Sequence, residues 1–224
     1  MTKVFQIGFN KCGTSSLYRL FFKNGLKSCH WDLGKIALDF KANITIGKLA
    51  FEGTYSDYIF FSDMIHIDRS NLIEVYKYFD ILDSHYPGSK FILNTRDIDK
   101  WISSRLHHGS GSFFRRFKKY YDLSDNEIID IWEAEWFLHT HRVLAHFKDR
   151  TQDLLVFDIE KDSPEKISAF LKGIYNLRPE FYQHRNKTKT RQNCWLTTSL
   201  CTFIDGRIAN GWRTVKKVRK LANS

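Results

Sequence analysis

Hydrophobic residues in this chain fall into short, nearly continuous runs that alternate with longer segments of helical spacing. The runs at 3–9, 58–61, 90–95 and 154–157 are rich in β-branched and aromatic residues and end in polar or turn residues. Elsewhere apolar residues recur every three or four positions, which predicts helices over 14–23, about 71–84, through 101 and 106, over 125–147, and after Ser163-Pro164. Apolar strands that alternate with helices predict an α/β fold in one domain, with a central parallel sheet covered by helices on both faces.

Polar residues follow three of the predicted strands and are candidates for a binding site. They are 8–16 after the first strand, Ser62-Asp63 after the second and Arg96-Asp97 after the third. In parallel α/β sheets, ligands bind beyond the carboxyl ends of the strands. We therefore expect these three groups to meet at one edge of the sheet.

The loop after the first strand has the glycine spacing of a phosphate-binding loop. Gly8 and Gly13 are separated by four residues, but Thr14 stands where a nucleotide kinase has lysine, and the lysine lies earlier, at Lys11. Backbone N–H groups at a helix start favour a bound anion, and hydroxyl groups there add donors. The candidate anion-binding residues are Lys11, Cys12, Gly13, Thr14, Ser15 and Ser16. The alternative is a glycine-containing turn with an ordinary helix cap.

A second candidate anion site follows the strand at 90–95. Arg96 ends this strand, Asp97 is a predicted helix N-cap, and Ser104 lies about two helical turns further on. A guanidinium and a hydroxyl on one side of a crevice suit a phosphate group. Alternatively, Arg96 pairs with a structural carboxylate.

Together, the loop with its displaced lysine and the later Arg96 and Ser104 resemble the sulfotransferases that use 3′-phosphoadenosine 5′-phosphosulfate (PAPS). The resemblance covers about 3–106 well and extends more weakly to about 191, although Ile98 replaces the proline that commonly follows Arg-Asp. It implies that PAPS is the sulfuryl donor and that adenosine 3′,5′-bisphosphate is the product. It also implies that the early loop holds the 5′-phosphosulfate, and that Arg96 and Ser104 hold the 3′-phosphate. Because a sulfuryl group carries less negative charge than a γ-phosphoryl group, a lysine and a helix N-terminus can serve where kinases use Mg²⁺, so no metal is expected.

A basic segment at 184–188 is similar to one that often closes over the nucleotide in these enzymes. The similarity places Lys187 near the 3′-phosphate, where a cation makes electrostatic sense. A solvated basic loop is the alternative, since most runs of charge are solvated.

Three residues are candidates for the chemical step. Sulfuryl transfer needs stabilisation of the departing phosphate oxygen, which we assign to Lys11, and a base for the acceptor proton. Asp63 is the first candidate for the base, and His30 is the second because histidine is the commonest general base. The structural alternatives are that Asp63 caps a helix or pairs with Arg69, and that His30 is an ordinary structural histidine.

The positive charge of the chain is concentrated near its C-terminus. The formal net charge is +10 over 224 residues, and the stretch from Arg178 onward contains eleven Lys or Arg against two acids. Apolar residues at helical spacing among these cations predict that 191–224 is a basic amphipathic extension of a domain formed by 1–190. This extension either packs on the domain or contacts an anionic membrane surface.

Other features of the sequence narrow the class of protein. No run approaches the roughly 20 apolar residues of a membrane span, and the first residues are too polar for a secretory signal, so we expect a cytoplasmic protein. Four cysteines without a CxxC pair predict reduced thiols rather than a zinc site. No nucleic-acid-binding motif is recognisable, so no specific nucleic-acid partner is expected.

The sequence therefore predicts a PAPS-dependent sulfotransferase that acts on a hydroxyl or amine, with a carbohydrate or glycolipid as the favoured acceptor. One alternative is a P-loop kinase or NTPase, because 58–63 imitates a Walker-B strand, although the missing lysine at Thr14 argues against it. The other is a non-enzymatic binder of anionic surfaces that uses the basic tail.

Overall fold

The computed structural model describes residues 1–183 of the chain. In chain order the elements are β1 (Val4–Gln6), α1 (Thr14–Lys23), β2 (Ser28–His30), α2 (Lys35–Thr45), β3 (Phe60–Ser62), β4 (Ile65–Ile67), β5 (Leu72–Glu74), α3 (Phe79–His85), β6 (Lys90–Thr95), α4 (Ile98–Leu106), α5 (Ser112–Tyr121), α6 (Asp125–His146), β7 (Leu154–Asp158) and α7 (Glu165–Phe170). Short 3-10 turns lie at Asp32–Gly34, Val75–Tyr78, Thr151–Asp153 and Pro179–Phe181.

Five strands form a parallel sheet in the order β2-β3-β1-β6-β7. The central strand β1 pairs with β3 on one side, Val4 opposite Phe60, and with β6 on the other, Phe5 opposite Phe91. The chain fills the β2-β3 side first and then crosses to β6 and β7. The direction of strand addition thus reverses at β1, and the carboxyl end of a strand at such a switch point is where open α/β sheets bind ligands.

Two hydrophobic cores cover the two faces of this sheet. Alternate residues of each strand point to opposite faces, so Val4, Phe60 and Ile92 belong to one core with α1 and α7. Their neighbours Phe5 and Phe91 belong to the other core with residues of α2, α3, α5 and α6. The predicted parallel sheet with helices on both faces is therefore confirmed.

The helix predicted over about 71–84 is wrong in its first half. Leu72–Glu74 forms β5, which pairs antiparallel with β4, and a 3-10 turn at Val75–Tyr78 precedes the short helix α3. The segment is rich in β-branched residues, and pairing with β4 satisfies its backbone, so tertiary contacts decide its conformation. The sequence also failed to indicate α2 and the hairpin.

Helix boundaries follow recognisable capping signals in two cases. The side chain of Asp97 accepts a hydrogen bond from the Lys100 amide, at 3.0 Å, and starts α4, as predicted. Ser124 and Glu127 form a reciprocal capping box at the start of α6, which makes the boundary of this 22-residue helix sharp. Within residues 1–183, no helix has both the length and the apolar character needed to cross a membrane.

Gly8, the second residue after β1, occupies a position with no room for a side chain. A Cβ atom there would lie 2.1 Å from the carbonyl oxygen of Asn94 in β6. We expect Gly8→Ala to lower the free energy of unfolding by about 3 kcal/mol, because the backbone of a central strand would have to shift. Thermal unfolding followed by circular dichroism should show a fall in Tm of about 6–12 °C.

Gly47→Ala is the matched control for this prediction. Gly47 has φ +73° but open space around its missing Cβ, so alanine there adds backbone strain of about 1 kcal/mol without a collision. If Gly8→Ala is no less stable than Gly47→Ala, the backbone around Gly8 and Asn94 can shift at little cost in free energy, which would contradict the prediction.

Candidate active site

The carbonyl groups of the loop between β1 and α1 accept four hydrogen bonds from surrounding side chains. The Asn94 amide donates to the carbonyls of Phe9 at 3.3 Å and Cys12 at 2.6 Å. The Trp101 indole donates to the Asn10 carbonyl at 3.0 Å, and Arg96 Nη1 donates to the Lys11 carbonyl at 3.1 Å. Four consecutive carbonyls are thereby held by the surrounding protein.

The same loop leaves N–H groups at the start of α1 available to bind an anion. Lys11 and Gly13 have φ of +65° and +76°, so left-handed residues reverse the backbone just before α1. The amides of Ser16 and Leu17 donate to the Gly13 carbonyl. The amides of Thr14 and Ser15 lie in the first turn of α1, where no preceding helical carbonyl is placed to accept a hydrogen bond from them. The arrangement is a backbone nest at a helix N-terminus.

A buried pair of amide side chains connects the loop to the neighbouring strand β3. Gln6 Nε2 donates to Asn94 Oδ1 and to the Gly8 carbonyl. Gln6 Oε1 accepts from the backbone N–H of Asp63 at 3.0 Å. Gln6 and Asn94 are both about 1 % exposed, and they fix the loop relative to Asp63. The sequence pattern did not indicate either residue, although an amide inside an apolar strand is an unusual feature.

Asp63 directly follows β3 and has a strained backbone, with φ +52°. One of its carboxylate oxygens, Oδ1, is buried without a hydrogen-bond partner. Burial raises the pKa of Asp63, and the nearby His30, Lys11 and Arg105 only partly offset this effect. Among residues 1–183, Asp63 neither caps a helix nor pairs with Arg69, so neither structural alternative applies.

His30 lies at the end of β2, beside Asp63. Its Nε2 is 3.3 Å from Ser15 Oγ and 3.9 Å from Asp63 Oδ2, and its Nδ1 is 3.0 Å from Ser62 Oγ. Burial lowers the pKa of His30, and the Asp63 carboxylate opposes the shift. The structure therefore brings both candidate bases together next to the first turn of α1.

Lys11 points from the loop toward α4 and the loop that follows it. Its Nζ is 3.4 Å from His108 Nδ1. Burial lowers the pKa of Lys11, Asp63 opposes this shift, and Arg96 adds to it. Burial and the charge of Lys11 also lower the pKa of His108, so a neutral His108 accepts a hydrogen bond from the Lys11 ammonium. His108 is exposed and lies beside Lys11.

The remaining loop residues have distinct environments. Cys12 is fully buried as a free thiol whose pKa is raised by burial, so it contributes backbone groups rather than a reactive sulfur. The Ser16 hydroxyl contacts the Tyr182 hydroxyl, and burial raises the pKa of Tyr182 to about 12. Thr14 is buried, whereas Ser15 is half-buried and faces His30.

Arg96 lies at the end of β6, next to the loop. Besides the Lys11 carbonyl, it contacts Glu160 through Nη2 at 3.3 Å, while its Nε is buried without a partner. Ser104 is half-buried on α4, one turn after Lys100. The pairing of Arg96 with a carboxylate, which was the alternative prediction, is present, and the side chain of Glu160 is 27 % exposed. Phosphate binding by Arg96 stays a prediction.

The segment after His30 has three consecutive residues with positive φ. They are Trp31 at +58°, Asp32 at +44° and Leu33 at +54°. The Trp31 amide donates to the Ser62 carbonyl at 3.1 Å, which places this turn at the same sheet edge as Asp63. Trp31 and Leu33 are nevertheless 41 % and 68 % exposed. Backbone strain of this kind is concentrated at functional sites in proteins.

Helix α5 contains the aromatic and basic segment at 113–121 and buries its apolar side. Phe113 and Phe117 are buried against the guanidinium of Arg105, which is itself fully buried and 3.5 Å from Glu74. The helix is thus an ordinary amphipathic one, and it fixes α4 against the core.

Two further predictions concern the C-terminal residues and the role of metal. Lys187 and the extension at 191–224 lie outside the described residues. Among residues 1–183, no group of three or more His, Cys, Asp or Glu side chains could hold a metal ion. Independence from metal stays a prediction.

The fold and the loop define the class of this protein: a parallel α/β domain of the P-loop-like type, with a backbone nest at its switch point. A family model described as "Sulfotransferase domain" matches residues 3–190, and the chain belongs to the sulfotransferase family. A search of the curated proteins found no match. Membership identifies the protein as a transferase of sulfuryl groups that takes a nucleotide co-substrate and an acceptor.

Proposed function

We propose that this protein transfers the sulfuryl group of PAPS to a hydroxyl or amine of a carbohydrate or glycolipid acceptor. The observation that carries this proposal is the loop whose carbonyls at 9–12 all accept hydrogen bonds from surrounding side chains, which leaves its amides available to bind an anion. Arg96 supplies a second set of donors next to this loop, from a different crossover unit.

The residues fit a nucleotide with phosphate groups at both ends of its ribose. The first turn of α1, with Thr14 and Ser15, suits the 5′-phosphosulfate, because amides, hydroxyls and the helix dipole all favour negative charge there. Arg96, with its unpartnered buried Nε, and Ser104 on α4 suit the 3′-phosphate. Lys187, in the basic segment, is the further ligand that we propose for this phosphate.

The chemical step depends on two charged residues on either side of the transferred group. PAPS supplies a sulfuryl group that is already activated by its bond to phosphate. Asp63 accepts the proton of the acceptor hydroxyl while the acceptor oxygen bonds to sulfur. Lys11 and the α1 amides stabilise the electron pair that remains on the phosphate oxygen when the old sulfur–oxygen bond breaks. His30 orients the Asp63 carboxylate and is the alternative base.

The exposed side chains near Asp63 support a carbohydrate or glycolipid as the acceptor. Trp31 presents an aromatic face of the kind on which sugar rings stack, and Leu33 extends this surface with an apolar group. Their strained backbone is consistent with a position held for binding rather than for stability.

Nucleotide binding is the direct test of this proposal. Adenosine 3′,5′-bisphosphate at a hundredfold excess over its Kd should stabilise the protein by about 2.7 kcal/mol in a thermal-shift experiment. Stabilisation by Mg-ATP without any effect of the bisphosphate would instead support a kinase or NTPase.

Arg96→Gln should weaken bisphosphate binding by about 10- to 100-fold, because charge-assisted hydrogen bonds to phosphate are lost. Adenosine 5′-monophosphate, which has no 3′-phosphate, should bind the variant and the wild type equally in isothermal titration calorimetry. Arg69→Gln, in the exposed turn between β4 and β5, is the matched control. Equal losses for both nucleotides would place Arg96 outside the 3′-phosphate site.

A further inference from the structure

Three donors at the start of α4 converge on a single carboxylate, that of Glu160. Arg96 Nη2 and Lys100 Nζ both donate to Glu160 Oε1, at 3.3 and 3.1 Å. The backbone N–H of Asp97 donates to the other oxygen, Oε2, at 3.2 Å. A guanidinium, an ammonium and an amide around two acceptor oxygens form the donor set that proteins use for phosphate.

Arg96 does not need Glu160 to hold its position. The Arg96 side chain is also anchored through Nη1 to the Lys11 carbonyl, at 3.1 Å. Its Nε is buried without a partner, so the guanidinium retains an unused donor while Glu160 is bound. Lys100 and Ser104 are four residues apart on α4 and lie on the same helix face as one another. The donors around Glu160 therefore continue directly into the proposed 3′-phosphate site.

We propose that Glu160 is an internal anion that occupies the 3′-phosphate subsite and is displaced when the nucleotide binds. This inference rests on the proposed function, and it also adds Lys100 to the residues that hold the 3′-phosphate. Glu160 lies in the loop after β7 and is 27 % exposed, so its side chain can move into solvent.

The electrostatics of the subsite favour this exchange. Burial opposes ionisation of Glu160, but the Asp97 amide, Lys100 and Arg96 outweigh it and hold the pKa of Glu160 below its ordinary value. Glu160 is therefore charged at neutral pH, and it neutralises one of the two cations. A phosphate dianion brings more charge and more acceptor oxygens than a carboxylate, so it competes well for the same donors. A nucleotide without the 3′-phosphate gains nothing from displacing Glu160.

Glu160→Gln tests the proposal, because glutamine keeps the shape of the side chain and removes its charge. We expect adenosine 3′,5′-bisphosphate to bind this variant about three- to tenfold more tightly than the wild type in isothermal titration calorimetry. Adenosine 5′-monophosphate should bind both proteins with the same Kd. Asp99→Asn, which removes an exposed charge from the first turn of α4 without touching Arg96, should leave both Kd values within about twofold.

The other outcomes each overturn the proposal. Weaker or unchanged bisphosphate binding by Glu160→Gln would show that Glu160 orients Arg96 rather than competing with phosphate. If Glu160→Gln binds both nucleotides more tightly to the same degree, or if Asp99→Asn also binds the bisphosphate more tightly, the effect comes from the overall charge of the region rather than from displacement of Glu160. If the wild type binds neither nucleotide, the proposed function fails as well. If the wild type binds the bisphosphate but Glu160→Gln does not bind it more tightly, only the placement of Glu160 in the 3′-phosphate subsite is contradicted. The Tm of each unliganded variant verifies that it is folded.

Discussion

Lys11→Met is expected to lower kcat for sulfuryl transfer by about 10²- to 10³-fold, the usual effect of removing one preorganised donor from a developing anion. Methionine keeps an unbranched side chain of similar length but carries no charge. The loop itself should persist, because its carbonyls are held by Asn94, Trp101 and Arg96 rather than by Lys11. The measurement is transfer of radiolabelled sulfate from PAPS to the best acceptor in a panel of glycans and glycolipids.

Binding and chemistry should separate in this variant. The Kd for adenosine 3′,5′-bisphosphate should rise by much less than kcat falls, because the α1 amides and Arg96 still bind the two phosphates. Lys23→Met, at the opposite end of α1, removes an exposed lysine about 15 Å away along the helix and should leave both values unchanged. Equal losses in affinity and kcat for Lys11→Met would show instead that Lys11 stabilises the bound nucleotide as much as the transition state.

The parts of the fold that the sequence predicted correctly are those in which local pattern and tertiary structure agree. Helix α1 begins at Thr14 and ends at Lys23 as predicted, because a glycine turn precedes an amphipathic run. The strand β2 is different, since Ser28, Cys29 and His30 show no apolar pattern and become a strand only by pairing with β3. A three-residue strand of this kind depends on contacts that are distant in sequence.

The candidate site likewise contains residues that the sequence indicated and residues that it did not. The loop from Gly8 to Ser16 was identifiable because its chemistry lies in one stretch of chain. The groups that fix its conformation were not, because Gln6 and Asn94 lie within apolar strands and act across the sheet. Glu160 was also missed, since no local signal connects a loop acid after β7 to an arginine that lies 64 residues earlier.

Asp63→Asn should lower kcat by about 10²- to 10⁴-fold, the range that general-base catalysis contributes. Asparagine has nearly the same shape and tolerates the positive φ at this position, so the backbone need not change. The folded pKa of Asp63 is raised, so its environment disfavours the charged form at neutral pH, and the neutral amide should leave Tm unchanged or raise it. A large loss of activity without a loss of stability would identify a group that acts in the reaction.

The pH profile and His30 decide which residue is the base. Asp63 must be ionised to accept a proton, and its raised pKa shifts the acid limb of kcat/KM above pH 3.9, the ordinary value for aspartate. Activity should therefore fall as the pH drops through this raised pKa, and Asp63→Asn should abolish that limb. His30→Gln should cost less than Asp63→Asn and should retain the limb, because His30 acts by orienting the carboxylate across 3.9 Å. If His30→Gln removes the limb and Asp63→Asn does not, the proton goes to the imidazole, and Asp63 becomes the residue that positions it.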